Sequence, residues 1–252
     1  LFRGPETELP AWVRLATAKR GGVTVTRVEI TREGLARPRG RYVTLEMPSV
    51  SVLDERDTDV IETGAAELRA LLPPEGPVLV LGIGNRRVTA DALGPRTAQK
   101  ILVTMGPQHT LPVRGIRPVA ALAPGVSGDT GLTLRQLAAA MVDAVRPAAL
   151  ICVDSLCSAE AARLGRTIQF SDTGLHPADA RQARHLDAAA LGVPVIAAGI
   201  PTLMDADEGA DLVLTPRALD SVIAHGSALL AGILNRALQP RLSVAQLCWL
   251  TG

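Results

Sequence analysis

Apolar residues near the start of this chain recur with a period of two, and further on they close up into solid runs. Val23–Ile30 alternates apolar and polar positions, as a half-buried strand does, and residues 42–45 repeat the pattern. A Pro- and Gly-bearing stretch at 34–40 separates them, so 23–46 is expected to fold as a hairpin. Residues 1–20, broken by Pro5 and Pro10, are expected to be irregular. Val60, Ile61, Ala65, Leu68 and Leu72 recur near every 3.6 residues, which predicts a helix over 58–72 stopped by Pro73 and Pro74. Residues 78–83, 118–123, 149–153 and 194–200 are continuous apolar runs, the mark of strands buried on both faces. Helices are expected at 90–103, 132–145, 185–191 and 216–238, and one more short strand at 166–170.

Strand–helix alternation of this kind implies an α/β fold: a mostly parallel sheet with helices on both faces, the N-terminal hairpin added at its edge. The whole chain, 1–252, reads as a single domain, with a core over about 76–240 and the 20–72 segment packed on it. Five aromatic residues among 252 leave the core to Leu, Val, Ile and Ala. They also leave little for stacking nucleobases, and a net charge of +1 gives no drive toward duplex binding, so no direct nucleic-acid partner is expected. Cys152, Cys157 and Cys248 are too few and too unevenly placed for a disulfide framework or a zinc site. No apolar run approaches about 18 residues, and the start has no signal-peptide core, so a cytoplasmic protein with no membrane partner is expected. The chain opens on Leu1 rather than Met, which suggests a fragment or a processed form.

In an open parallel sheet, ligands bind beyond the carboxyl ends of the strands. Each of the four apolar runs, and the short strand at 166–170, is followed by an acidic residue: Asp91, Asp129, Asp154, Asp172 and Asp205. Gly82-Ile-Gly84 invites a dinucleotide-binding reading, but Arg87 stands where the third glycine belongs, and no P-loop lysine follows. No Gly-x-Ser-x-Gly elbow exists, so a serine hydrolase is disfavoured. Asp91 is either a first-turn carboxylate offsetting a helix dipole or a reactive group. Asp154 directly follows Ile151-Cys152-Val153, where a carboxylate makes little sense for packing. Two carboxylates brought together hold a proton between them and can activate water, although spacing alone does not show that they meet. His176 is open to three readings: a metal ligand with the two aspartates, a proton carrier, or a brace for its Gly- and Pro-bearing loop. Cys152 is expected to be inert.

Several stretches resemble the germination protease (spore protease) family in one colinear order over about 20–240. They are Leu81-Gly-Ile-Gly-Asn-Arg-Arg-Val-Thr-Ala-Asp-Ala-Leu-Gly-Pro95, Pro124-Gly-Val-Ser-Gly-Asp-Thr-Gly131, Ile151-Cys-Val-Asp154, Thr167-Ile-Gln-Phe-Ser-Asp-Thr-Gly-Leu-His-Pro177 and Leu191-Gly-Val-Pro-Val-Ile-Ala-Ala-Gly-Ile-Pro-Thr202. The resemblance implies a cytoplasmic endopeptidase of the spore core that degrades small acid-soluble spore proteins at germination. It further implies synthesis as a zymogen, a homo-oligomer, and an atypical aspartic mechanism with no cofactor and no metal. Its two catalytic aspartates match Asp91 and Asp154; Gly84, Asn85, Asp172, His176 and Asp205 are expected to support them or to bind substrate. The sequence departs from the family in lacking glycines over 178–184 and in a shortened segment at about 205–214. The fold also resembles that of the hydrogenase maturation endopeptidases, which leaves a metal-dependent peptidase or a non-catalytic spore-protein binder as the alternatives.

Overall fold

The structure is a computed structural model and describes residues 9–33, 37–106, 115–176, 185–205 and 213–251. Its parallel part is built from the apolar runs. β4 (Val78–Gly82) lies between β5 (Val119–Leu122) and β6 (Ala149–Cys157), and β6 pairs in parallel with β8 (Val195–Asp205). β7 (Thr167–Ser171) joins β8 antiparallel, and the N-terminal strands β1 (Val13–Arg20), β2 (Val23–Ile30) and β3 (Gly40–Glu46) continue antiparallel beyond it. The order β1-β2-β3-β7-β8-β6-β4-β5 is therefore mixed, with a parallel block at one side and the hairpin strands at the other edge. The two-residue strand β9 (Val213–Leu214) pairs with the end of β8.

Helices cover both faces. α1 (Thr58–Leu71), α2 (Leu93–Ala98), α6 (Leu219–Leu238) and α7 (Val244–Thr251) pack on one, where Val80, Ile151, Ile196 and Leu234 share a core with Val25 and Leu45 of the hairpin. α4 (Leu134–Val145) and α5 (Ala188–Leu191) cover the other, over Leu79, Leu81, Leu150 and Cys152, while α3 (Ser127–Thr130) is a single turn. α6 has 20 residues and is long and apolar enough to cross a membrane by length and composition. Its apolar side chains are instead taken up by the core, where Ile223, Leu229, Leu230 and Ile233 have no exposed surface.

Three expectations need correction, and one helix is new. Residues 13–20 form β1 rather than irregular chain, because an edge strand exposed on both faces shows no alternation. The helix expected at 90–103 is a 3-10 turn at Thr89–Asp91 followed by the six residues of α2. β5 is an edge strand and only partly buried. α7, formed after residue 240, was not expected at all. The 178–184 loop lies outside the described residues.

Candidate active site

β5 lies on one side of β4 and β6 on the other, so the chain changes winding direction between β4 and β6. Such a switch leaves a crevice at the carboxyl ends of its two strands. The loop leaving β4 leans into that crevice: Ile83 N donates to Val153 O over 2.8 Å. Gly84 follows with φ +123, and a Cβ there would sit 2.0 Å from Asp91 O and 2.9 Å from Asp91 Oδ1. Only glycine admits this approach. Asn85 N then donates to Asp91 Oδ2 at 2.7 Å, while Asn85 Oδ1 accepts from Arg87 N at 2.9 Å. Gly84 and Asn85 together thus cradle the Asp91 carboxylate.

Two further contacts, neither foreseen from sequence, hold the turn that carries Asp91. β8 carries one extra residue, Thr202, between the pairs Leu156↔Pro201 and Cys157↔Leu203. Such bulges re-aim side chains beside functional sites. The fully buried Thr202 donates from Oγ1 to Ala90 O at 2.9 Å. Gly94, at the start of α2, is the second contact. A Cβ there would fall 2.2 Å from Ile83 O and 2.3 Å from Val153 O, so α2 is drawn down onto the ends of β4 and β6. Arg87 also reaches Asp129 on α3 at 3.2 Å, but both are well exposed and the pair contributes little.

Asp154 lies within β6, which continues to Cys157, and it is half-buried. Its Oδ1 accepts from Ser155 N at 2.8 Å. Alternation puts Asp154 on the face of Leu150 and Cys152, and Ser155 on the face of Ile151 and Val153. The Ser155 hydroxyl is buried without a hydrogen-bond partner among the described residues. Burial pushes the Cys152 thiol up, and the charge of Asp154 adds to the shift. Opposite Asp154 stands Gly199, where a Cβ would meet Asp154 O at 2.3 Å and the Leu156 side chain at 2.8 Å. Through Ile83, Val153 and Gly94, the backbone therefore brings the Asp91 turn onto the strand that carries Asp154.

The other expected site residues are placed differently. Because β7 runs antiparallel, its carboxyl end points away from the crevice. Asp172 follows Ser171, which pairs with Ala197, level with Cys152 rather than with anything beyond Asp154. There its two oxygens accept from Arg41 N and Arg41 Nε, both at 2.7 Å, which brace β3. Asp205 closes β8 six residues past Gly199, about 20 Å along the strand. His176 is exposed; its Nε2 is 2.8 Å from Thr173 O and its ring stacks edge-on to His185. It lines a cleft of about 430 Å³ with Leu156, Gln169, Ser171 and Ala197, on the Asp154 face of the sheet. No group of three or more His, Cys, Asp or Glu side chains is arranged to hold a metal among the described residues.

Fold and site together define an open-sheet α/β protein with two acidic residues at its topological switch, one on a glycine-cradled turn and one within a buried strand. The family model described as germination protease matches residues 7–208, and the chain belongs to that family. A germination protease of Bacillus velezensis is 38% identical over 238 residues, covering 88% of this chain and 62% of its own. One from Clostridium perfringens is 32% identical over 278 residues, covering 87% of this chain and 86% of its own. One from Caldanaerobacter subterraneus is 39% identical over 216 residues, covering 80% and 65%. Among solved structures, a nickel–iron hydrogenase maturation protease of Thermococcus kodakarensis aligns with a TM-score of 0.44 and 16% identity, over 68% of this chain and 98% of that one.

Proposed function

We propose that this protein is an endopeptidase that cleaves small acid-soluble spore proteins at germination, with Asp91 and Asp154 activating the attacking water. The observation that supports this reading is the packing of Ile83 and Gly94, which flank the Asp91 turn, against Val153 of β6, the residue before Asp154, in a chain of the germination protease family. Two neighbouring carboxylates share one proton. The ionised one takes a proton from water as its oxygen attacks the scissile carbonyl carbon, and the protonated one gives its proton to the carbonyl oxygen. The resulting diol collapses as one of its hydroxyls returns a proton to the second carboxylate, the C–N bond breaks, and the leaving nitrogen takes the proton held by the first carboxylate.

Gly84 and Asn85 orient Asp91, and Ser155 N orients Asp154. The cleft at His176, Gln169 and Leu156 receives part of the substrate chain. In the family's manner, the protein is made as a zymogen and works as a homo-oligomer in the spore cytoplasm.

The test is incubation with a purified small acid-soluble spore protein, with mass spectrometry of the products, in the presence and absence of strong chelator. Discrete internal cleavages under both conditions are expected. An intact substrate beside folded protein would refute the peptidase reading. Cleavage lost in chelator and restored by a divalent ion would replace the aspartate pair with a metal hydrolase.

A further inference from the structure

At the other end of β4 a second cleft, of about 470 Å³, opens where β4 and β5 begin and α1 and α6 end. It lies the length of β4 from the crevice, about 13 Å of strand. Arg69, Arg117 and Arg241 all line it, against a single carboxylate, the exposed Glu75. None of the three arginines forms an ion pair among the described residues.

The guanidinium groups of Arg117 and Arg69 are nevertheless hydrogen-bonded in place. Arg117 donates from Nε to Gly76 O at 2.8 Å and from Nη2 to Glu75 O at 3.1 Å. Its backbone is clamped on both sides by the buried Gln239 amide, which accepts from Arg117 N at 2.9 Å and donates to Arg117 O at 2.8 Å. Burial lowers the pKa of Arg117, as it does for a cation taken from water without a counter-charge. Arg69 donates from Nη1 to Arg236 O at 3.1 Å. The Arg241 guanidinium lies over Gly115, where a Cβ would fall 2.3 Å from its Nη1. Each guanidinium retains unused N–H groups, and Leu72, Pro73, Ile116 and Leu238 supply apolar walls between them.

We infer that this cleft binds an acidic peptide segment, at a site separate from the aspartate pair. Guanidinium forks match carboxylates in geometry and charge, and two of the three here are hydrogen-bonded in place. The apolar walls suit the methylene stems of glutamate side chains, which a free inorganic anion lacks.

The test is fluorescence anisotropy of a labelled Glu-rich peptide on the full chain carrying Asp154→Asn, so that binding is read whether or not the protein cleaves peptides. Saturable binding is expected, weakening as salt is raised. It should weaken about tenfold or more on adding Arg241→Glu and recover in large part with Arg241→Lys. Arg241 is exposed, and circular dichroism will confirm that both variants fold. Three results would overturn the inference: no binding, equal binding by the Arg241→Glu protein, or equal binding of a peptide with lysine in place of glutamate. Thermal stabilisation by inorganic phosphate without peptide binding would assign the cleft to small anions and also overturn it.

Discussion

Two buried side chains on β6 beside Asp154 give residue-level tests that do not depend on substrate. The Cys152 thiol is held neutral by burial, with its pKa above that of the unfolded chain. Between those two pKa values the unfolded state has lost a proton that the folded state keeps, so stability falls as pH rises. The loss begins near pH 8.5 and reaches at most about 1.4 kcal/mol per pH unit. Urea melts between pH 7 and 10 should show this slope, and Cys152→Ala should flatten it while lowering stability at neutral pH. A slope unchanged in Cys152→Ala would assign it to other groups. Ser155 carries the opposite lesson, since its hydroxyl is buried and has no partner among the described residues. Ser155→Ala removes an unsatisfied group and should leave stability unchanged or raise it by about 1 kcal/mol. A clear loss of stability would mean that the hydroxyl has a partner after all, a bound water included.

The short elements around the crevice are held by glycines that no apolar pattern foretells. Gly94 touches the carbonyls of Ile83 and Val153, so Gly94→Ala must push α2 off the ends of β4 and β6. A cost of about 1–3 kcal/mol is expected from forcing a methyl into such packing, read as a lowered melting temperature. Cleavage should fall further than stability, because the Asp91 turn moves with α2. An active, fully stable Gly94→Ala protein would contradict this seating.

Where burial was two-sided, the sequence was explicit: the runs at 78–83, 149–153 and 194–200 became the central strands, and the heptad-like spacing at 58–72 became α1. It was silent where burial was weak. β1 exposes nearly all of its side chains, and its one signal was the Gly21-Gly22 pair, whose φ values of +54 and +76 make the hairpin turn to β2. Strand direction was also illegible. Nothing in residues 166–176 shows that β7 runs antiparallel, and that direction is what takes Asp172 away from the crevice. The Thr202 bulge depends on the register between two strands distant in sequence, and only the assembled sheet reveals it.

For the molecule as a whole, β2 and β3 share one hydrophobic core with the parallel block, and the Arg27–Glu67 pair joins β2 to α1. Limited proteolysis is therefore expected to leave 20–72 attached, and release of a folded, active 76–252 fragment would contradict that.

In the proposed mechanism Asp91, delivered after β4, and Asp154, delivered within β6, act as one unit. Asp91→Asn, Asp154→Asn and the double variant should be compared for cleavage of a small acid-soluble spore protein, with folding checked by circular dichroism. Each single change is expected to abolish cleavage in a folded protein, and the double variant to be no worse than either, because groups acting together do not contribute additively. Substantial cleavage by folded Asp154→Asn, or independent losses that multiply in the double variant, would contradict it.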